Sequence, residues 1–502
     1  MMETFKYIPR ITIVPGVFEE ERIDEAVRCC KEYGYDELMF FINSESLFKG
    51  FLTIEDVKPY VETIKRAKAK LDEIGVKTSL NPWTTLGHSS RGKLGVSKDR
   101  FLKMVGDKGY ASPLTPCPLD EDWQEYLTEY FSYLVTEIQP NVLWFEDDFR
   151  LHNHDLVCEG NDWGGGCFCD RHMELYSAFL GRTVTREEFV KGMSSGENNG
   201  EYRKAYYEVN RKMMRDISEL FGARLHEIYP DLKIGLMSAG AKAHSVEGRD
   251  WYGMLYGLAG DKTPINRIHL PMYRQACPQD YSWLFHDVSM HARAMIPDET
   301  VVLPELESAQ FSPYTKSRNM TCFQIESALA LCPKGITLDQ DCFAGNGIVA
   351  EYGYGEPLSA LKSYLSGFVS CNIPFSAMTG VIIPTSEDMF VYAPKADKIG
   401  GIFIYQNYWA LHLAAIGVAF KYEKARRFEG EIVAIAGEYL NSLSDEEVVW
   451  LFENNFLLIE GSTVEILFKR GLNHLINATN YTFYGDATGQ NVDVLENAFS
   501  WQ

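Results

Sequence analysis

What the chain has little of narrows its function first. Positive charge is short: 48 Lys and Arg stand against 70 Asp and Glu, a formal net charge of −22. Phosphate backbones call for a basic stripe, and none runs through this sequence, which argues against a nucleic-acid partner and leaves a neutral or cationic ligand. No window approaches 18 uninterrupted apolar residues, so neither a membrane span nor a membrane partner is expected. The opening Met-Met-Glu-Thr-Phe-Lys has no basic segment leading into an apolar one, so we read no secretory signal and expect a cytoplasmic protein. Eleven cysteines in 502 residues are too sparse for a disulfide framework. Their odd number fits reduced thiols, some of them available to a metal. Internal repeats and low-complexity tracts are missing too. Ala344-Gly-Asn-Gly347 does not match a P-loop, and no G-x-S-x-G or strand-to-helix G-x-G-x-x-G is found.

What is present is an ordinary globular composition, 46% hydrophobic and 24% charged, in a chain longer than one core usually organises. Up to about residue 370, short apolar runs alternate with amphipathic stretches. Strands are expected at Ile11–Val14, Glu37–Ile42, Lys77–Leu80, Asn141–Phe145, Lys233–Met237, Arg267–Met272, Thr300–Leu306 and Gly335–Leu338. Between them, patterns such as Val57, Val61, Ile64, Ala67 and Leu71 recur at helical spacing. Eight strand–helix units predict an α/β fold: a (β/α)₈ TIM barrel over residues 1–375, with a long insertion after strand four, roughly 151–230. The rhythm then changes. Gly380–Tyr392, Gly401–Gln406, Glu431–Ala436 and Phe456–Glu460 read as β segments, and Tyr408–Gly417, Leu443–Asn454 and Thr463–Arg470 as helices. That pattern predicts a second, smaller α/β domain over 376–502. The chain stops at Asn-Ala-Phe-Ser-Trp-Gln without a closing element, so further C-terminal sequence is expected.

Chemistry concentrates where expected strands end. In Asn141-Val-Leu-Trp-Phe-Glu-Asp-Asp-Phe-Arg150 an apolar run breaks into Glu146, Asp147 and Asp148, followed by Arg150, His152 and His154. Three adjacent acids at a barrel mouth repel one another, so one should hold its proton tightly or sit on a cation. In Glu299-Thr-Val-Val-Leu-Pro-Glu-Leu-Glu-Ser308, strand alternation puts Glu305 and Glu307 on one face, pointing into the mouth. Glycosidic cleavage needs such a set: an acid to protonate the leaving oxygen and a carboxylate to trap the oxocarbenium-like centre, about 5 Å apart if configuration is retained. Asn43, Asn81, Trp83, His88, Tyr273, Asp339 and Asp341 at other strand ends suit a hydroxyl-binding ring with an aromatic platform. Cys117, Cys167, Cys169 and His172, with Cys158 nearby, have compact ligand spacing for a structural zinc that would clamp the long loop.

Three of these stretches carry a resemblance. Trp144-Phe-Glu146 is similar to the acid/base segment of clan A glycoside hydrolases. Pro304-Glu-Leu-Glu307-Ser, with Ser312-Pro, resembles the strand-seven nucleophile segment of the family 42 β-galactosidases, to which family 164 β-mannosidases are related. Thr115-Pro-Cys117-Pro and Cys167-Phe-Cys169 resemble the family's structural zinc cysteines, with His172 where a third cysteine of the motif would stand. The tail from Trp409 through Leu443-Ser-Asp-Glu-Glu447 to Leu458-Ile-Glu-Gly461 resembles its trimerisation domain, a flavodoxin- or glutamine-amidotransferase-like α/β fold. Family 42 carries Asn before its acid/base, on the sugar's 2-hydroxyl; here that position is Phe145, which leaves room for a mannoside as well as a galactoside.

The resemblance implies a retaining exo-β-glycosidase acting on a small β-linked carbohydrate, without a catalytic cofactor, in a homo-oligomer, a trimer if the tail resemblance holds. Glu146 is expected as acid/base and Glu307 as nucleophile hydrogen-bonded by Tyr273, with Glu305 competing for that role. Substrate contacts are expected from Asn43, Asn81, Trp83, His88, Asp147, Asp148, Arg150, His154, Tyr273 and Asp339. Two alternatives stay open: a metal-dependent hydrolase or lyase using Glu146, Asp147, His152 and His154, and a non-catalytic carbohydrate-binding assembly protein.

Overall fold

The computed structural model describes residues 4–90, 100–151, 157–158, 161–162, 166–245, 247–277, 280–309, 312, 314–396 and 408–482. The strands of its main sheet are β1 (Lys6–Ile11), β2 (Glu37–Ile42), β3 (Lys77–Pro82), β4 (Val142–Phe145), β5 (Lys233–Ser238), β6 (Ile265–Ile268), β7 in two pieces (Val301–Val302 and Glu305–Glu307) and β8 (Gly335–Asp339). All pair in parallel, β1 to β6 each beside the next in sequence and β8 beside β1. The first piece of β7 pairs with β6, Ile265 opposite Val301, and the second with β8, Glu305 opposite Thr337. The sheet therefore curls until both of its edges belong to one strand, an arrangement consistent with a TIM barrel. Pro304, which has no N–H to give, divides the two pieces, and its carbonyl accepts from Thr337 N at 2.8 Å.

Most expected strands lie within two or three residues of their places. β1 is the exception, shifted back from Ile11–Val14 to Lys6–Ile11, and β6 stops at Ile268 rather than running on to Met272. Met272 has a left-handed backbone, φ 65°, which no strand accommodates.

Alternation sorts each strand's side chains. Ile8, Met39, Val142, Trp144, Met237, Ile265 and Leu303 form a buried cluster inside the curl. Helix-facing residues such as Phe40, Leu143, Phe145 and Ile336 join the larger core with the surrounding helices. Gly235 makes room for this filling: a Cβ there would meet the Trp144 ring at 2.5 Å. The indole thus plugs the barrel two residues before Glu146. Helix Ile54–Asp72, expected from its periodicity, starts in a capping box in which Thr53 and Asp56 satisfy each other's backbone N–H groups.

Between β4 and β5 the chain forms three helices, Asp170–Leu180, Arg186–Ser195 and the long Glu197–Ile228. A second extension, an antiparallel hairpin of Lys103–Val105 and Ala111–Pro116 after β3, was not legible in the periodicity.

Beyond Gly380 a separate parallel sheet forms from β9 (Val381–Pro384), β10 (Phe420–Glu423), β11 (Ile432–Ile435) and β12 (Phe456–Ile459), in the order β10-β9-β11-β12. β10 was not anticipated. The β reading of Gly380–Tyr392 holds only for β9, since Glu387–Tyr392 is a 3₁₀ turn, and Gly401–Gln406 lies outside the described residues. This sheet shares a core with the insertion: Phe168, Tyr176, Phe189 and Tyr206 cluster with Ile382, Val433 and Leu467.

Candidate active site

The C-terminal ends of the barrel strands surround an open cavity of about 530 Å³. Its lining includes Arg10, Phe41, Trp83, His88, Glu146, Asp147, Arg267, Tyr273, Glu305, Glu307 and Phe343. Strand alternation aims part of this lining. Val142, Trp144 and Glu146 alternate inward on β4 and its end, Leu303, Glu305 and Glu307 on β7.

Two arginines that the sequence reading passed over organise the floor. Arg10 of β1 is buried, and Nη1 donates to Glu146 Oε1 at 2.9 Å and to Asn81 Oδ1 at 2.9 Å. Its Nη2 reaches Glu305 Oε1 at 3.2 Å, and Nε donates to Asp339 Oδ1 at 2.8 Å while Nη2 grips the other Asp339 oxygen. The guanidinium lies over the Phe41 ring at 4.4 Å and 5.0 Å from that of Phe343. Arg267 of β6 places Nη2 3.2 Å from Glu146 Oε2 and 3.0 Å from Glu305 Oε1. The acid of β4 and the first glutamate of β7 therefore converge on the same two cations. An alternating strand with one charged inward residue looks like any amphipathic strand, so only the convergence of five acids on the mouth could have signalled that cations must sit between them.

The carboxyl groups are driven apart electrostatically. Burial raises Glu146, and neighbouring Asp147 adds to this against the pull of Arg267 and Arg10. Burial opposes charge on Glu305 as well, yet Arg267, His269 and Arg10 hold it far below the usual carboxylate range. Tyr273, expected on Glu307, instead donates its hydroxyl to Glu305 Oε2 at 3.1 Å. Glu307 is pushed up to about 8 by burial and by the charge on Glu305. Asp147 stays well below the usual range: burial resists, but Arg150, 3.7 Å away, and His88, 3.5 Å away, prevail. Despite its burial, His88 is raised to about 9 by Asp148 and Asp147. It stacks on Trp83 at 4.3 Å between centroids, so one face of the expected aromatic platform is already covered.

Several expected contacts are spent on the fold. Asp148 is fully buried, and its Oδ2 accepts the backbone N–H groups of Thr85, Leu86 and His88, each at 2.9 Å, while Thr85 also gives its hydroxyl to Oδ1. It organises the turn that carries His88 and is not turned to the cavity. Asn43 is likewise consumed, its amide donating to Gly50 O at 2.8 Å and accepting from Lys49 N at 2.9 Å, with φ 57°. Asn81 and Asp339 reach the site through Arg10. Asp341 accepts from Val349 N at 2.7 Å. Phe145 packs outward on Phe131, Phe149 and Phe221 at 5.0 to 5.7 Å, so the position before Glu146 contributes nothing to the cavity. His152 and His154 lie outside the described residues.

The loop after Glu146 is braced from the segment that follows β5. Glu247 Oε2 accepts from Leu151 N at 2.7 Å, and Arg249 donates to Phe149 O at 3.1 Å. His244 completes the brace in its neutral form, Nδ1–H on Glu247 at 2.6 Å and Nε2 accepting from Ala239 N at 2.9 Å. Burial lowers it to about 3.

Among the described residues, two groups of side chains have the spacing of metal ligands. One is Glu305, Glu307 and Asp339, but Arg10 already pairs with two of the three. The other is Cys117, Cys167, Cys169 and His172. Sulfur of Cys117 is 3.8 Å from those of Cys167 and Cys169, and His172 Nδ1 is 3.5 and 3.3 Å from Cys117 and Cys169. A tetrahedral zinc with Zn–S of about 2.3 Å and Zn–N of about 2.1 Å requires edges of roughly 3.5–3.8 Å. The four residues fit that ion. All four ligand positions are protein atoms, so zinc there would join the Cys117 turn to the start of helix Asp170–Leu180 and supply no open coordination site.

No protein-family model matches the chain, and no curated protein matches it in sequence. Solved structures do. Gan42B, a GH42 β-galactosidase, superposes with a TM-score of 0.59 at 12% identity, over 91% of this chain and 71% of that one. The β-galactosidase of the psychrophilic Marinomonas ef1 gives 0.56 at 10%, over 92% and 76%. That of Bacillus circulans sp. alkalophilus gives 0.54 at 10%, over 86% and 67%. The likeness is one of fold. At such identity the residues of the site have to speak for themselves.

Proposed function

We propose that the chain is a retaining β-glycosidase, with Glu146 as acid/base and Glu305, in place of Glu307, as nucleophile. The observation that carries the reading is the shared cation: one nitrogen, Arg267 Nη2, lies 3.2 Å from Glu146 and 3.0 Å from Glu305. Their nearest carboxylate oxygens are thus no more than about 6 Å apart, close to the roughly 5 Å of double displacement and short of the roughly 6.5–9.5 Å that an inverting pair needs. Opposed electrostatics supports the same division of labour. A buried carboxyl whose proton is held suits the acid, and an ion-paired carboxylate suits the nucleophile.

In the first half-reaction a Glu305 oxygen attacks the anomeric carbon and forms a glycosyl ester, while the bond to the aglycone oxygen breaks and Glu146 gives that oxygen its proton. In the second, the Glu146 carboxylate takes a proton from water, the water oxygen attacks the same carbon, and Glu305 leaves as a carboxylate. Arg10, Arg267 and Tyr273 hold Glu305 in line. Glu307, an uncharged acid at neutral pH that faces the cavity, donates a hydrogen bond to a glycone hydroxyl. The four thiolate and imidazole ligands hold a structural zinc, away from the reaction. The substrate is a small β-mannoside or β-galactoside, and the assembly a homo-oligomer built through the C-terminal sheet.

The test is turnover of aryl β-mannoside, β-galactoside and β-glucoside by wild type, Glu146→Gln and Glu305→Gln. Glu305→Gln should abolish hydrolysis. Glu146→Gln should slow glycosides with poor leaving groups far more than activated aryl ones. Unchanged turnover of both kinds would remove Glu146 from its role.

A further inference from the structure

The loop that follows β6 carries Tyr273 to Glu305 through an unfavourable backbone. Met272, immediately before the tyrosine, sits at φ 65°, a region that a long side chain rarely adopts. Nothing in the loop's own sequence requires this, so the support must come from outside. It comes from helix Arg318–Ala328, the helix after β7. Gln324, fully buried on that helix, donates from Nε2 to Pro271 O at 2.8 Å and to Met272 O at 3.3 Å. Two further ties run the same way, Ser317 N to Gln275 Oε1 at 2.8 Å and Gln275 N to Thr315 O at 3.1 Å. The strand that supplies the nucleophile is thus followed by the helix that fixes the tyrosine donating to it, with Tyr273 also 2.8 Å from His269 Nδ1.

We infer that Gln324 is a positioning residue: by clamping the carbonyls of Pro271 and Met272 it keeps the left-handed turn in place and aims the Tyr273 hydroxyl at Glu305. The inference rests on the glycosidase reading for its catalytic consequence. Gln324 touches neither cavity nor substrate and acts through the backbone alone.

The experiment is a cycle of wild type, Gln324→Leu, Met272→Gly and the double variant, assayed on the aryl β-glycoside that wild type hydrolyses and by thermal unfolding. Gln324→Leu should lower kcat at least tenfold, within the roughly hundredfold that a 1 Å misplacement can cost, with KM little changed. The acid limb of its kcat/KM profile should move to higher pH, because Glu305 loses a hydrogen bond to its charged form. Glycine adopts the left-handed turn without strain. In the Met272→Gly background the same substitution should therefore cost several-fold less in kcat, and its Tm loss should shrink as well. Equal losses in both backgrounds, or unaltered kcat and pH profile in a folded Gln324→Leu, overturn the inference. If Gln324→Leu does not fold, Gln324→Met is read in the same cycle. A wild type that hydrolyses no aryl β-glycoside overturns the glycosidase reading instead, and equal Tm losses in the two backgrounds would then still refute the clamp.

Discussion

Removing the shared cation should move the whole pH profile upward. Arg267→Met keeps the length and most of the packing of the side chain and deletes its charge. In the native site the guanidinium lowers the carboxyls of both Glu146 and Glu305, alongside other groups. A hydrogen bond to a charged group contributes about 1.5–3 kcal/mol, and one pKa unit is about 1.4 kcal/mol, so each carboxyl should rise by one to two units. The cost stops there because Arg10 still pairs with both acids. The signs follow from the roles. Glu305 must be charged, so raising it lifts the acid limb of kcat/KM. Glu146 must carry its proton, so raising it lifts the basic limb. Stability has a sign too: a carboxylate held below its unfolded value stabilises the fold above that value, a contribution lost as pH falls through the folded one. Arg267→Met gives up part of it, and Tm at neutral pH should drop with the same 1.5–3 kcal/mol. The assay is kcat/KM on an aryl β-glycoside between pH 4 and 10 with parallel thermal melts. Limbs that stay in place, or that move in opposite directions, would refute the assignment of Arg267 as the common counter-ion.

Other outcomes test other parts of the site. Glu307→Gln should erase any activity decline centred near the pH of about 8 to which that acid is raised, while retaining hydrolysis; loss of all turnover would return Glu307 to the nucleophile's role. Asp148→Ala leaves the buried N–H groups of Thr85, Leu86 and His88 without an acceptor, and at about 1–3 kcal/mol each, partly relieved by water, Tm should fall by several degrees. Native mass spectrometry should find one zinc per chain, lost in Cys169→Ser, with a lower Tm but the same KM for the glycoside; a change in chemistry without a change in stability would contradict a structural ion.

The curled parallel sheet was legible where a strand is an apolar run ended by turn chemistry, as in Glu37–Ile42, which lies where its pattern puts it. The readings slipped where a strand carries what strands avoid. Lys6–Ile11 carries Pro9 and Arg10, and the expected strand Ile11–Val14 began five residues late and ended three late, so the arginine never entered the list of site residues. Arg267 opens the expected strand Arg267–Met272 and was not counted among the site residues, whereas the observed strand Ile265–Ile268 carries it to the floor of the site. The acids were found because carboxylates at a strand end are conspicuous; their partners were not, because pairing across a barrel is a property of closure and leaves no spacing in the chain. For the same reason sequence could not rank Glu305 against Glu307. Both face inward, and only the reach of Arg10, Arg267 and Tyr273 distinguishes them.

The buried Arg203 has a bearing on how this protein can be cut. From the middle of the insertion it donates to the carbonyls of Met193 and Ser194 on one side and of Val391, Ala393 and Pro394 on the other. A truncation near residue 375, where composition alone would separate catalytic and accessory parts, would strip this guanidinium of three acceptors and bare the aromatic layer of Phe189 and Tyr206 beside it. Expression of the first 375 residues should yield aggregates. An excisable cassette would have to take the helices after β4 along with the tail.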